Sequence, residues 1–199
     1  MLDTRKAQLV ALTGGSAVFV TTAALAWDDN VSAAEKSAFE FINGWPDWIA
    51  GPLYPVMQFG MVVAPFVAGA VAWYLTRKRQ PAAAFVSTGF GMWLFAKLVK
   101  VVVDRPRPGG LLEEEISYRI DGGPEGLGFV SGHAVVGFAI AVIATPYVGR
   151  RGAAVLWALA TGAATLRVYV GAHLPLDSVG GAALGIAAGA IALLVVRRG

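Results

Sequence analysis

The sequence has no cysteine and few charged residues, and both deficits restrict what the protein can be. The absence of cysteine excludes disulfides, thiolate catalysis and cysteine-based zinc or iron–sulfur sites. Charged residues make up only 15% of the chain and hydrophobic residues 56%, with a mean hydropathy of +0.62. A soluble domain carries about 25% charged residues, so a lipid bilayer is the expected environment. No polar linker divides the 199 residues, which predicts one membrane-embedded domain over 1–199.

Six apolar segments are each long enough to cross the hydrocarbon core of a bilayer, which takes about 20 helical residues. They cover residues 8–27, 54–76, 81–103, 131–149, 153–172 and 178–196. The sequence therefore predicts an all-α fold, a polytopic membrane helix bundle with six transmembrane helices. The first segment resembles a signal peptide, because Arg5 and Lys6 precede it and Ala24-Leu25-Ala26 resembles a cleavage site. We favour a retained helix; in both cases its N-terminus stays in the cytoplasm.

Basic and acidic residues lie at opposite ends of these segments. The basic group consists of Arg5, Lys6, Arg77, Lys78, Arg79, Arg150, Arg151, Arg197 and Arg198. Every acidic residue except Asp3 falls on the other side. The positive-inside rule then predicts that both termini are cytoplasmic. This distribution accounts for the basic pI of about 9.4 without a nucleic-acid partner, since no basic stripe interleaved with aromatics exists elsewhere.

Two connections on the outer side are long. Residues 28–53 contain Ser32 and Glu35 at the spacing of a helix capping box. The apolar residues that follow at helical spacing are Ala34, Ala38, Phe41, Ile42 and Trp45. They predict a short amphipathic helix in the membrane interface, with Trp45 and Trp48 at headgroup depth, or equally an ordinary packed loop helix. Residues 104–130 form the second connection, and irregular segments of that length are usually functional or disordered.

Small residues on the last segment predict close helix packing. Gly181, Gly185 and Gly189 repeat every four residues, so one face of this helix allows a neighbouring backbone to approach closely. We expect packing within the chain rather than dimerisation.

Ionisable residues at the outer ends of apolar helices indicate a functional site, because a bilayer makes them costly. They are Lys97, Lys100, His133, Arg167, His173 and Asp177, which include both histidines of the chain. The topology above places all of them at one membrane face. Arg and Lys pair with phosphate oxygens. Ser131-Gly132 precedes a helix, so free backbone amides would point at an anion there.

Histidine chemistry suits such a phosphate site. A histidine can attack phosphorus, and a carboxylate at its other ring nitrogen fixes the tautomer. Asp177 stands four residues after His173, and His133 could supply a proton to the leaving group.

Several of these charges also have structural interpretations. Lys97 is expected to extend to the interface or pair with an acid, and Lys100 could pair with Asp104 one turn later. We interpret Arg105 as a loop anchor outside the site. The Glu113–Glu115 run is expected to be a solvated loop face rather than a metal site.

The spacing of these residues resembles the type 2 phosphatidic acid phosphatase (PAP2) family, whose members include bacterial membrane lipid phosphatases. Three motifs carry the resemblance: Lys100, six residues, Arg107-Pro108; Ser131-Gly132-His133; and Arg167, five residues, His173, three residues, Asp177. Two positions depart from the pattern. Val130 stands where the family often has proline, and Leu166 where it often has serine. Neither departure removes a catalytic group, so we expect an effect on substrate affinity rather than on chemistry.

The resemblance implies a role for each matching residue. His173 would be the nucleophile that forms a phosphohistidine, Asp177 would orient it, and His133 would protonate the leaving oxygen and then activate water. Lys100, Arg107, Ser131, Gly132 and Arg167 would bind the phosphate oxygens. No cofactor and no metal are expected, because cations and amides can stabilise the equatorial oxygens.

The expected partner is a membrane lipid substrate, with the site on the extracytoplasmic face of a bacterial inner membrane. Candidates are a polyprenyl diphosphate (undecaprenyl or decaprenyl), phosphatidic acid and phosphatidylglycerophosphate. Transfer of the phosphoryl group to another lipid remains open. A membrane transporter or anion-binding protein is disfavoured, because segments 54–76 and 178–196 have no ionisable group between their ends. A vanadium-dependent haloperoxidase shares the signature but would be soluble.

Overall fold

The computed structural model describes residues 4–113 and 115–196, and its regular elements in this part are helical. The α-helices are α1 (Thr4–Ala26), α2 (Ala33–Asn43), α3 (Ala50–Met57), α4 (Ala64–Thr76), α5 (Arg79–Val103), α6 (Pro108–Leu111), α7 (Gly132–Ala144), α8 (Arg150–Tyr169) and α9 (Pro175–Val196). Short 3-10 turns span Asp47–Ile49, Gln58–Gly60 and Thr145–Tyr147. Asp3, Glu114, Arg197 and Arg198, which entered the sequence interpretation, lie outside the described residues.

The predicted all-α membrane bundle is confirmed, whereas the number of spans is established only in part. Within the described residues, α1, α5, α8 and α9 are long and apolar enough to cross a membrane. The segments Asp47–Gly60 and Ala64–Thr76 form a bent pair, at 69°, that can count as a fifth span. The predicted segment 131–149 is a shorter apolar helix, Gly132–Tyr147. Length and composition therefore support four or five spans, and six stays a prediction.

The prediction of one continuous helix over 54–76 is wrong. Pro55 lies inside α3 and Pro65 lies in the first turn of α4, and proline cannot donate the backbone hydrogen bond that continues a helix. Gly60 ends the 3-10 turn between them, and its Cα faces the backbone of His133 so closely that a side chain would collide there. The break therefore lets this part of the chain pass directly against the start of α7.

Helix α7 lies at the centre of the bundle. Its residues 134–143 are all buried. Glycines of α9 pack against it: a Cβ built on Gly181 would lie 2.8 Å from the Cβ of Ala134, and one on Gly189 would lie 2.7 Å from the Cβ of Val142. Gly185 similarly meets the backbone of Val135. The prediction that the glycine stripe serves packing within the chain is confirmed. Because its neighbours enclose it, α7 does not need a full lipid-facing span.

One end of the bundle gathers the helix ends that carry the site. A buried cluster joins the end of α1 (Ala26), the last turns of α5 (Val99 and Val103), the loop residues Phe129-Val130 and the first turns of α7 and α9. The long loop 104–131 closes this end, and residues 105–107 pair with residues 126–128 through an isolated bridge between Pro106 and Leu127. These bonds hold the two ends of the loop against each other.

The predicted helix in 28–53 is present as α2, and its place in the membrane interface stays a prediction. Phe39 and Asn43 are buried, whereas Phe41 is 73% exposed and Trp48 75% exposed. The Asn43 side chain donates to the carbonyls of Ser117 and Tyr169, at 3.0 and 2.9 Å. These bonds fasten α2 to the C-terminal end of α8 and to the long loop.

Candidate active site

The start of α7 presents unpaired polar groups. Ser131 is the N-cap residue in an extended conformation, and its amide donates to the carbonyl of Asp177 at 3.0 Å. Its hydroxyl is buried without a hydrogen-bond partner. The first amides of an α-helix have no partner within the helix. Ser131 therefore leaves both a hydroxyl and helix-terminal amides available to an anion.

The turn between α8 and α9 positions His173 and Asp177. The amide of His173 donates to the carbonyl of Arg167 at 3.2 Å, which closes the turn after α8. Asp177 lies in the first turn of α9, where its Oδ2 accepts from the amide of Leu174 at 2.9 Å. The same oxygen lies 3.4 Å from Nδ1 of His173. Asp177 thus faces Nδ1 of the ring and leaves Nε2 on the opposite side.

Three basic side chains surround this pair, and each is held by backbone or neutral acceptors. Arg167 donates through Nη2 to the carbonyl of Asp121 at 2.8 Å and through Nη1 to the sulfur of Met57 at 3.3 Å. Arg107 donates to the carbonyl of Gly123 at 3.3 Å. Lys100 donates to the carbonyls of Leu127 and Gly128, at 2.6 and 2.8 Å. None of these bonds neutralises the charge of its donor.

Buried polar atoms without partners concentrate here. Buried polar groups are normally hydrogen-bonded, so each exception indicates a missing partner. In residues 4–113 and 115–196, seven buried side-chain nitrogen and oxygen atoms lack a partner, and five of them belong to this end of the bundle. They are Nε of Arg105, Arg107 and Arg167, Oγ of Ser131 and Nδ1 of His173. Nδ1 of His173 faces Asp177, and Arg105 is held by carboxylates, so Nε of Arg107, Nε of Arg167 and the Ser131 hydroxyl are the unpaired donors that an anion would satisfy.

The charges of the site do not balance. Lys100, Arg105, Arg107 and Arg167 face two carboxylates, Glu35 and Asp177. The cluster therefore carries an excess of two positive charges when His173 is neutral, apart from the exposed side chain of Asp121 beside Arg167. A phosphate dianion has the charge that compensates this excess.

The surroundings of His173 favour its neutral form. Burial lowers the pKa of His173 well below its usual value of 6.5, and the charges of Lys100, Arg167 and Arg107 lower it further. A hydrogen bond with the backbone of Gly128 acts in the opposite direction but is the smallest effect. Burial also lowers the pKa of Arg107 from its usual value. The imidazole of His173 therefore has a free nitrogen lone pair at neutral pH.

The structure brings most of the sequence-predicted site residues together. His133, on the first turn of α7, lies within electrostatic range of Arg167, His173 and Lys100. Lys97 lies elsewhere: its side chain is exposed, and its ammonium stacks over the ring of Trp93 at 3.9 Å. The roles assigned to the gathered residues stay predictions.

The interpretation of Arg105 as a loop anchor outside the site is wrong. Its side chain is completely buried, and Nη1 donates to Oδ1 of Asp177 at 3.0 Å. Its second partner, Glu35, was missed because its spacing from Ser32 indicated a capping box. The Ser32 hydroxyl does accept from the amide of Glu35 at 3.2 Å, but the Glu35 carboxylate binds Arg105. The sequence held one signal for the Arg105–Glu35 pair, namely that Arg105 stands two residues before Arg107 within the same motif.

Comparison with known proteins places the chain in a family. The fold is similar to the crystal structure of Aquifex aeolicus LpxE, with a TM-score of 0.66 and 22% identity over 82% of this chain and 96% of that one. It is also similar to the first transmembrane PAP2 type phosphatidylglycerolphosphate phosphatase from Bacillus subtilis, with a TM-score of 0.70 and 19% identity over 95% and 97% of the two chains. No curated protein sequence matches the chain. The sequence model described as PAP2 superfamily matches residues 80–199, which include all three motifs. The chain therefore belongs to the PAP2 superfamily.

Proposed function

We propose that this protein is an integral membrane lipid phosphatase, which hydrolyses a phosphomonoester or diphosphate of a lipid through a phosphohistidine intermediate. One observation carries the proposal. Unpaired buried donors and an excess of two positive charges surround a histidine that is neutral at physiological pH. A phosphate group would satisfy the donors and the charge together, and it would lie beside a nucleophile.

The reaction would proceed in two steps. Arg107, Arg167 and Lys100 would hold the nonbridging oxygens, while Nε2 of His173 attacks phosphorus and the bond to the lipid oxygen breaks. His133 would give its proton to that oxygen, and it would then take a proton from the water that attacks the phosphohistidine. Asp177 would accept a hydrogen bond from Nδ1–H, stay a carboxylate and so stabilise the positive charge that the ring gains on attack. Positioned cations supply most of the stabilisation that phosphoryl transfer requires, so no metal is needed.

An apolar cavity next to the site supports a lipid substrate. It has a volume of about 810 Å³ and lies between the bent pair α3–α4 and helices α5, α7 and α8. Gln58 and Phe59 line one end, and Tyr147 lines the other. Two lining residues, Phe59 and Met61, flank Gly60, which packs against the backbone of His133, so the cavity extends to the start of α7. A lipid whose phosphate binds at His173 could place its hydrocarbon chain there.

Among lipid phosphates, we propose a polyprenyl diphosphate as the substrate, hydrolysed at the extracytoplasmic face of a bacterial inner membrane. An outward-facing site suits recycling of such a carrier lipid. Phosphatidic acid and phosphatidylglycerophosphate are the alternatives, and the second is favoured by the likeness to the Bacillus subtilis enzyme. Phosphoryl transfer to an acceptor lipid would be recognised by a phosphorylated acceptor among the products.

The test is release of inorganic phosphate by the purified protein in detergent with a chelator, measured on these three lipids. We expect activity that survives chelation, and we expect His173→Ala to abolish it without trapping a phosphoenzyme. His133→Ala should slow turnover and leave phosphate on the protein when the leaving group needs no proton. Loss of activity with chelator and its return with magnesium would contradict the metal-independent mechanism. Full activity of His173→Ala would refute the nucleophile.

Two lysines on α5 provide a matched pair for the phosphate site. Lys100 donates to loop carbonyls beside Asp177, whereas Lys97 is exposed over Trp93. We expect Lys100→Ala to raise KM for the lipid phosphate and Lys97→Ala to leave it unchanged. Equal effects of the two changes would show that the charge acts through the membrane surface rather than through the site.

The absence of cysteine allows a direct test of orientation. Glu125 is exposed in the long loop at the site end, and Arg151 is exposed at the start of α8. In intact cells, an impermeant maleimide should label Glu125→Cys and not Arg151→Cys. The reverse labelling would place the site in the cytoplasm.

A further inference from the structure

A buried guanidinium joins helix α2 to the acid of the site. Arg105 contacts Glu35 with both of its terminal nitrogens, at 3.1 Å from Nη1 to Oε1 and 2.9 Å from Nη2 to Oε2. Its Nη1 also lies 3.0 Å from Oδ1 of Asp177. The Arg105 side chain is 0% exposed, and Glu35 is 9% exposed. Two carboxylates from different parts of the chain therefore share one enclosed cation.

The same two carboxylates hold the turn that carries His173. Oε1 of Glu35 accepts from the amide of Leu176 at 3.0 Å, and Oδ2 of Asp177 accepts from the amide of Leu174 at 2.9 Å. Leu174 and Leu176 lie between His173 and Asp177. The turn is therefore fixed at two amides, and the distance from Asp177 to the ring of His173 depends on both bonds.

Arg105 remains charged in this position. Burial lowers its pKa, but the hydrogen bond to Glu35 and the charges of Asp177 and Glu35 outweigh burial and raise the pKa above its usual value. A permanently charged guanidinium favours the carboxylate form of the completely buried Asp177 and opposes the effect of burial, which favours the protonated form. Asp177 can then accept a hydrogen bond from Nδ1–H of His173 rather than donate one.

Glu35 adjusts how strongly Arg105 neutralises Asp177. If Arg105 had Asp177 as its only partner, the pair would form a closed ion pair and Asp177 would be a weaker acceptor for His173. With Glu35 bound to both nitrogens, Arg105 contacts Asp177 through one nitrogen only, and through the oxygen that His173 does not face. The charge on Oδ2 is therefore directed towards His173.

We propose that Glu35 and Arg105 are positioning residues, which hold Asp177 as a carboxylate with Oδ2 directed at Nδ1 of His173. The inference rests on the proposed phosphatase function and goes beyond the roles that the three motifs imply, since Glu35 lies outside them and Arg105 is one of the six unassigned residues between Lys100 and Arg107. Glu35 acts from α2, an element that lies outside residues 80–199. The proposal separates nucleophile activation from phosphate binding, which uses Lys100, Arg107 and Arg167.

The test compares Glu35→Gln with Glu40→Gln in full-length protein. Glu40 is an exposed residue on the same helix, so it controls for a change of charge on α2. We expect Glu35→Gln to lower kcat about tenfold, as loss of an outer partner of a reacting group commonly does, with KM and the inhibition constant of inorganic phosphate unchanged within about twofold. Glu40→Gln should match the wild type in all three. A general structural defect would also weaken phosphate binding. An unchanged inhibition constant for phosphate therefore distinguishes a positioning role from a structural one.

Each outcome has a defined meaning. If folded Glu35→Gln keeps the wild-type kcat, the positioning role is overturned while the phosphatase assignment stays in place. The same conclusion follows if Glu35→Gln loses phosphate affinity in parallel with kcat. If Glu35→Gln does not fold, Glu35→Asp takes its place. Its shorter side chain withdraws the charge from Arg105, and the same split between kcat and phosphate affinity is expected. If the wild type releases phosphate from none of the lipids, the proposed function fails and this inference falls with it.

Discussion

Substitution of Gly128 tests whether the loop 104–131 sets the geometry of the histidine–aspartate pair. A Cβ at this position would lie 2.7 Å from the carbonyl oxygen of Pro106 and 2.8 Å from Oδ2 of Asp177. Ordinary van der Waals contact begins near 3.4 Å, so a methyl group has to displace its neighbours by about 0.6 Å. Gly128 itself is held, because its amide donates to the backbone carbonyl of Arg105 at 2.7 Å and its carbonyl accepts from the Lys100 ammonium at 2.8 Å.

The displacement therefore passes to Asp177 and through it to His173. A misplacement of about 1 Å in a catalytic group can cost about a hundredfold in rate, so a shift of this size should lower kcat about tenfold. Overpacking of a filled interior costs about 1–3 kcal/mol in the free energy of unfolding. We expect Gly128→Ala to show both losses, measured by phosphate release and by thermal unfolding in detergent.

Gly123 supplies the matched control in the same loop. A Cβ there would meet only Nη1 of Arg107, at 4.0 Å, and neither glycine has a positive φ. Gly123→Ala should keep kcat within about twofold and leave stability unchanged or raised by about 0.4–1 kcal/mol, because alanine restricts the unfolded chain. Equal kcat and equal stability for the two variants would refute the idea that the loop fixes Asp177.

Two further predictions concern the ionisation of His173 and the geometry of Arg167. In a His133→Asn variant, His173 is the only histidine, and NMR titration should show it neutral at pH 6.5 in the folded protein, since burial and nearby cations lower its pKa. Below pH 6.5 the unfolded chain should bind more protons at His173 than the folded protein does. The contribution of His173 to stability is therefore present above pH 6.5 and decreases as the pH falls below it. A titration midpoint at or above 6.5 in the folded protein would contradict this prediction. Arg167→Lys should raise KM about tenfold, because one ammonium cannot keep the bonds to Asp121 and Met57 and also pair with phosphate. The control is Arg150→Lys at the opposite end of α8, which should leave KM unchanged.

The sequence predicted the helices well where length and hydropathy decide the structure. Residues 81–103 were expected to be helical and form α5, Arg79–Val103, because an apolar segment of this length has no alternative in a bilayer. The prediction of one continuous helix over 54–76 was wrong, because the break depends on Pro55, on Pro65 and on contact between Gly60 and α7. The last of these is a tertiary contact that no local pattern contains.

Candidate site residues could be recognised from the sequence where a charged residue stands in an apolar segment. They were missed where a charged residue has a common local role, such as capping a helix. Lys100, His133 and Arg167 are conspicuous because a membrane helix rarely tolerates them. Glu35 follows Ser32 at capping-box spacing. An acidic residue at the start of an exposed helix therefore gave no reason, from the sequence alone, to expect a second role. Its partner Arg105 is 70 residues away. Only the folded chain shows that the cap and the ion pair are made by different groups of the same residue.

The proposed mechanism gives the four cations of the site different roles, and this division has a physical reason. Asp177 is completely buried and requires a permanent positive partner. If that partner were Arg107 or Arg167, the substrate phosphate would compete with Asp177 for the same donors, and each binding event would weaken the hold on His173. Arg105 removes this conflict because both of its terminal nitrogens are occupied by carboxylates. The remaining cations then keep their mutual repulsion until a phosphate binds. In the proposed reaction, a bound phosphate dianion would relieve this repulsion, which acts between Arg107 and Arg167, and its oxygens would stay paired with the same cations through the transfer.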